Sequence, residues 1–245
     1  MSTTIETRKP DLTPTTAPLA RGTFVIVPGR GDTAHAYDRL STRLRVDSYR
    51  VEVLLAPTDP DSLRASIESL SDLPSPVVVI AADVSAAILS IALGKSPVHG
   101  LSGVVIAGAA TTPTGSAAAN IGDEIALRTA CPVHTRVLSE SLNELSFTEG
   151  SDRWSRIWIE GQPIVTVPSL VIHGAADLIG SAAVVDAATT EWPARTLAVV
   201  GGGAHDVLND VHHRTVAASI VQFAESLRLD ASGVPILTIT RSSGT

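Results

Sequence analysis

The chain has 245 residues, a single cysteine, 44% apolar residues and a formal net charge of −7. One cysteine excludes an internal disulfide framework and a cysteine-rich metal centre, and an acidic balance without a Lys/Arg cluster argues against a nucleic-acid or anionic-membrane partner. The length suits one domain of the larger kind, and its core must be aliphatic because aromatics make up only 3%.

Residues 1 to 21 are Thr/Pro-rich and lack apolar periodicity, so they read as a flexible tail ahead of a domain at 22–229. Neither a signal-peptide run nor a stretch of about 18 apolar residues occurs, and a cytoplasmic protein is expected. Phe24 to Val27 is a short apolar run closed by Pro28-Gly29-Arg30-Gly31, the pattern of a buried strand ending in a tight loop. Tyr37, Leu40 and Leu44 then recur at helical spacing.

Tyr49 to Leu55 reads as a second strand, and Asp61 to Leu70 as a helix capped by Asp61 or Ser62. Val77 to Ile80 is uniformly β-branched, as a central parallel strand must be when helices cover both faces of its sheet. Further along come a small-residue helix (Val84 to Leu93), strands at Gly103 to Ala107 and Ser169 to His173, and a helix near Ser181 to Thr190. A strand at Thr196 to Val200 and an amphipathic helix at Val211 to Leu227 complete the order. Strands alternating with helices predict an α/β fold with a mostly parallel sheet. The segment from Thr111 to Val165 breaks the alternation, and its length predicts a small helical lid. Residues 230–245 read as a second tail, within which Pro235 to Ile239 has the composition of an edge strand.

The candidate chemistry lies where strands end. A nucleophile elbow needs small residues two before and two after its nucleophile, because backbone meets backbone at that turn. In Val77-Val78-Val79-Ile80-Ala81-Ala82-Asp83-Val84-Ser85-Ala86, centring on Asp83 puts Ala81 and Ser85 at those positions. Centring on Ser85 would put Asp83 and the bulky Ile88 at or beside them, so Asp83 fits and Ser85 does not. Asp177 ends the segment His173-Gly174-Ala175-Ala176-Asp177 and is the acid suited to orienting a histidine. His205 follows Gly201-Gly202-Gly203-Ala204 ahead of the last helix and is the candidate base. Nucleophile, acid, histidine is the chain order of α/β-hydrolases. Two backbone amides, those of Arg30 and Val84, are the candidates for an oxyanion hole.

The segment PGRGDTAHAYDRLSTRL resembles the oxyanion loop and first helix of the monoacylglycerol lipase and lysophospholipase group of α/β-hydrolases, whose loop reads HGxGE followed shortly by Tyr. GGGAHDVLND is similar to that group's histidine segment, and GAAD to its acid segment. The resemblance spans about residues 22 to 228 and departs at two places: Pro28 stands for the loop histidine, and Ala81-Ala82-Asp83-Val84-Ser85 for G-x-S-x-G. It implies an α/β-hydrolase fold and a small-molecule substrate, with no cofactor, no metal and no stable membrane insertion, and it is compatible with a homo-oligomer.

Aspartate changes the chemistry expected of such a site. A carboxylate attacking an ester would give a high-energy anhydride, whereas attack on saturated carbon gives an alkyl ester that water can cleave. Aspartate-dependent haloalkane dehalogenases and epoxide hydrolases of this fold are similar, although the segment 111–165 holds no tyrosine and Val84 stands where dehalogenases commonly place Trp. Tyr37, Cys131, His134, Trp154 and Trp158 are the expected pocket residues, while Arg128 and Arg136 read as exposed charges and Cys131 with His134 is too small a set for a closed zinc site. An Asp83–His205–Asp177 hydrolase acting on a small apolar molecule is therefore the first expectation. A ligand-binding protein with a decayed nucleophile, a serine-type esterase, and a lyase or isomerase on the same fold are the alternatives.

Overall fold

The computed structural model describes residues 19–70, 72–111, 118, 120–142 and 151–238. Within them the strands are β1 (Thr23–Val27), β2 (Arg50–Val53), β3 (Val77–Ala82), β4 (Leu101–Ala107), β5 (Ser169–Gly174) and β6 (Arg195–Val200). The helices are α1 (Asp38–Val46, entered through a 3-10 turn at Ala34–Tyr37), α2 (Pro60–Glu68), α3 (Val84–Lys95), α4 (Ile121–Arg128), α5 (Pro132–Ser141), α6 (Ser151–Gly161), α7 (Ala182–Thr189) and α8 (His213–Leu229). The sheet runs β2-β1-β3-β4-β5-β6 with every pair parallel.

Side-chain alternation splits the core into two layers. Val25, Val27, Val79, Ala81, Val104, Ile106 and Val171 face helices α2, α3, α6 and α7. Phe24, Ile26, Val78, Ile80, Val105 and Ile172 face α1 and α8. The central strands are buried on both faces, which is why they read as unbroken apolar runs. Helix α3 is apolar all round because it lies against β3, α2 and α6 at once.

Several local expectations shift. Asp59, not Asp61 or Ser62, caps α2, its side chain accepting from the amides of both of those residues. Residues 235–238 form no strand, so β6 remains the sheet's edge among the described residues. Residues 1–18 and 239–245 of the expected tails lie outside the described residues, while Arg21 is held by a bidentate pair with Glu225 at 2.9 and 2.5 Å. The part of segment 111–165 that is described holds α4, α5 and α6. Among the described residues no helix is long and apolar enough to cross a membrane.

The chain steps from β1 outward to β2 and then back across to β3, so the strand order reverses between β1 and β3. At such a switch point the loops leaving the two strands diverge and open a crevice at their C-terminal ends. Arg30 and Asp83 stand in those two loops.

Candidate active site

Asp83 links β3 to α3 at φ 52° and ψ −130°, a strained conformation for a residue with a side chain. The sharp turn projects its carboxylate into the crevice while leaving it only 2% exposed. Ser85, the second residue of α3, points elsewhere: its hydroxyl donates to the Pro28 carbonyl at 2.6 Å.

His205 reaches Asp83 from the far side of the sheet. Its loop leaves β6 and crosses the ends of β5 and β4, which requires two residues without Cβ. A Cβ on Gly174 would meet the Gly203 and Ala204 carbonyls at 2.3 and 2.4 Å, and one on Gly108 would meet the His205 carbonyl at 2.1 Å. The imidazole that arrives is 1% exposed, with Nε2 3.1 Å from Asp83 Oδ1 and Nδ1 2.8 Å from Asp177 Oδ2. Asp177 is fixed in turn, its Oδ1 accepting from the Ile179 and Gly180 amides, both at 2.8 Å. Asp177 therefore ties down its own loop, and Ser181 occupies the cap position of α7.

The Asp83 carboxylate is divided between two neighbourhoods. Oδ1 faces His205, whereas Oδ2 accepts the Arg30 backbone N–H at 2.9 Å and lies 3.3 Å from the Arg30 guanidinium Nε. Burial alone would push this carboxyl up, but the Arg30 charge, then the hydrogen bond and charge of His205, hold it well below the usual carboxylate range. Asp177 lies below that range too, because the His205 charge and the hydrogen bond from His173 outweigh its burial. Burial would lower His205, yet the charge and hydrogen bond of Asp177, followed by those of Asp83, push it up to about 10. The group at the centre is an imidazolium between two carboxylates.

A second shell of charge covers this centre. Arg128, on α4 and 1% exposed, bonds Asp32 Oδ1 at 2.7 Å and both Asp206 oxygens at 3.0 Å. Arg30 Nη2 reaches Glu124 Oε1 at 3.0 Å, also on α4, and His134 Nε2 on α5 lies 2.8 Å from Asp206 Oδ2. Tyr37 donates to Asp32 Oδ2 at 2.7 Å and accepts from the Gly29 amide at 3.0 Å. Burial raises the Asp32 carboxyl, whereas Arg128 and His134 keep that of Asp206 low against the same effect. A cavity of about 10 Å³ remains beside Asp83 and His205, bordered by Tyr37, Asp206 and Asn209.

The expected residues separate into two groups. Asp83, Asp177, His205, Arg30 and Tyr37 converge, and His134 joins them through Asp206. Cys131 precedes α5, buried, with Arg39 Nη1 3.5 Å from its sulfur. Trp154 and Trp158 are not brought to Asp83, Asp177 and His205. The Trp154 indole donates to the Thr58 carbonyl at 3.0 Å, and Trp158 is sealed in the core layer under α3, where a large apolar ring gains most from burial. Arg128 is buried rather than exposed, because Asp32 and Asp206 compensate it, while Arg136 is exposed as expected. Glu124 is the residue the sequence reading missed, although its i,i+4 spacing to Arg128 puts both on one face of α4.

Solved structures share this architecture. The monoacylglycerol lipase of Paleococcus ferrophilus is 15% identical, with a TM-score of 0.65 over 84% of this chain and 95% of its own. A soluble variant of the Saccharomyces cerevisiae monoglyceride lipase, in complex with a substrate analogue, is 12% identical, with a TM-score of 0.70 over 85% of this chain and 87% of its own. The chain has the α/β-hydrolase fold. An esterase from Rhodococcus sp., 15% identical, matches it with a TM-score of 0.63 over 84% of this chain and 90% of its own. No protein-family model and no curated protein matches the sequence. Asp83 stands at the end of β3, and Asp177 and His205 follow the last two strands of the sheet. Among the described residues no group of three or more His, Cys, Asp or Glu side chains is arranged to hold a metal ion.

Proposed function

We propose that the chain is a cofactor-independent enzyme of the hydrolase type acting on a small molecule, with Asp83 as nucleophile, His205 as base and Asp177 as its orienting acid. The division of the Asp83 carboxylate carries this reading: Oδ1 meets His205 while Oδ2 rests on the Arg30 amide. In an alkyl-transfer reaction Oδ1 attacks a saturated carbon, and the leaving group departs with the bonding electrons. Oδ2 becomes the carbonyl oxygen of the resulting ester, already seated on an amide that stabilises negative charge. Esterification removes the Asp83 charge, one of the two that keep the proton on His205. That proton leaves with the departing group or to solvent, and the neutral imidazole can then take a proton from water. The hydroxide adds to the ester carbonyl carbon, the oxyanion on Oδ2 is held by the Arg30 amide, with the Val84 amide as the expected second donor, and collapse, with the His205 proton passing to the leaving oxygen, releases an alcohol and restores the carboxylate.

Helices α4 and α5 act as the lid in this scheme. Substrate enters when the Arg128–Asp206 and Arg30–Glu124 pairs part, since only about 10 Å³ is open beside Asp83, room for about one water. A haloalkane, epoxide, lactone and p-nitrophenyl ester panel tests the reading. Single turnover in heavy-oxygen water must leave label in the Asp83 carboxylate, and His205→Gln must let an ester accumulate on the peptide containing residue 83.

The same closure favours a second reading. With the Arg30 guanidinium and amide both on Oδ2 and an imidazolium on Oδ1, Asp83 is a tightly satisfied anion, as a ligand-binding or structural descendant of a hydrolase would hold it. Turnover without label favours Asp83 as a general base in a lyase or isomerase. Absence of turnover across the panel favours the non-catalytic reading.

A further inference from the structure

His173 stands on β5 four residues before Asp177, completely buried. Its Nε2 lies 2.9 Å from the Gly180 carbonyl and 3.0 Å from Asp177 Oδ2. Both neighbours are acceptors, so Nε2 carries the hydrogen. Nδ1 is buried with no hydrogen-bond partner among the described residues. Residue 180 must be small for this contact, because a Cβ there would sit 2.9 Å from His173 Cε1 and 3.1 Å from Asp177 Oδ2.

The Asp177 carboxylate thus has both oxygens doubly engaged. Oδ1 takes two backbone amides, and Oδ2 is shared between the His173 and His205 rings. We propose that His173 is a positioning residue, a fourth member of the Asp83–His205–Asp177 chain, which fixes the Asp177 carboxylate and draws off part of the charge that Asp177 offers to His205. Hydrogen bonds to a carboxylate disperse its charge, and the more donors it has the less firmly each cation beside it is held. His173 thereby lowers the affinity of His205 for its proton, which a base that must give up that proton requires.

The inference rests on His205 acting as the base, but its test reads the ring rather than turnover, so the two can fail separately. The groups facing His205 are Asp177 and Asp83 directly, with Asp206, Arg30 and Arg128 behind them. In the full chain labelled at histidine with nitrogen-15, the wild-type His173 ring should carry its hydrogen on Nε2. A hydrogen on Nδ1 overturns the proposal without any variant. His173→Phe keeps a ring but removes the donor, and His173→Gln retains a donor near the Nε2 position. The His205 titration midpoint should rise by about half a unit or more in His173→Phe and return toward wild type in His173→Gln. Loss of thermal stability with an unmoved midpoint in both variants would reduce His173 to a packing role, and a fall of the midpoint would refute the charge sharing. If His173→Phe does not fold, His173→Met, which also lacks the donor, takes its place: a midpoint raised by about half a unit or more upholds the proposal, and an unmoved or lowered one overturns it.

Discussion

Raising the pH should weaken the fold through one residue, His205. Its proton is held at about 10 in the folded chain against an ordinary value of 6.5, so the proton binds the folded state more tightly than the unfolded one. The stability this confers is complete below about pH 6.5 and disappears as pH rises through about 10. Integrating between those limits gives a loss of about 3 kcal/mol between pH 7 and pH 10, a substantial fraction of the 5 to 15 kcal/mol typical of a domain. Urea unfolding at several pH values, for wild type and His205→Gln, isolates the effect because every other titrating group is common to both. The wild-type curve should descend relative to the variant by that amount. Parallel curves would mean that the imidazolium between Asp83 and Asp177 does not form, and the electrostatic account of the site would fall with it.

Other expectations follow from the packing around the same centre. Gly108→Ala would force a Cβ to within 2.1 Å of the His205 carbonyl at a residue with φ +51°, so unfolding should show a loss above about 2 kcal/mol, and the His205 titration midpoint should move as the histidine loop is displaced. Arg128→Met strands the buried Asp32 and Asp206 carboxylates and should cost about 3 to 5 kcal/mol in urea denaturation at neutral pH. Part of that loss should return as the pH falls and those carboxyls take up protons; a loss independent of pH would assign Arg128 to packing alone. Trp158→Ala empties a fully buried site between α6 and α3 and should destabilise by about 3 to 5 kcal/mol, whereas a binding-pocket tryptophan would leave stability near wild type.

Much of this architecture is written locally. The short apolar runs at Val77–Ile80 and Phe24–Val27, rich in β-branched residues and closed by turn residues, specify buried parallel strands because a strand covered by helices on both faces has no polar side to keep. The small residues around Asp83 made a sharp strand-to-helix turn legible, and the glycines before His205 marked a loop between the last strand and the last helix. Such signals depend on a residue and its near neighbours in the chain, so they survive without coordinates. What surrounds Asp83 does not. Arg128 pairs with Asp206 and Asp32, at separations of 78 and 96 residues, and Arg30 pairs with Glu124 at a separation of 94. Read alone, each is an ordinary surface charge, and only the return of α4 over the strand ends makes it a buried partner.

Trp154 and Trp158 show the same limit from the opposite side, since an amphipathic helix announces that one face is buried but not which surface buries it. The sequence by itself determined the alternation of strands and helices, the position of the elbow and the order of aspartate, aspartate and histidine, because those rest on backbone geometry and local spacing. Tertiary structure alone decided that the Arg30 guanidinium lies against Asp83, that His173 shares Asp177 with His205, and that a layer of ion pairs closes the crevice, because charge and burial are sums over neighbours that the chain brings together only when folded.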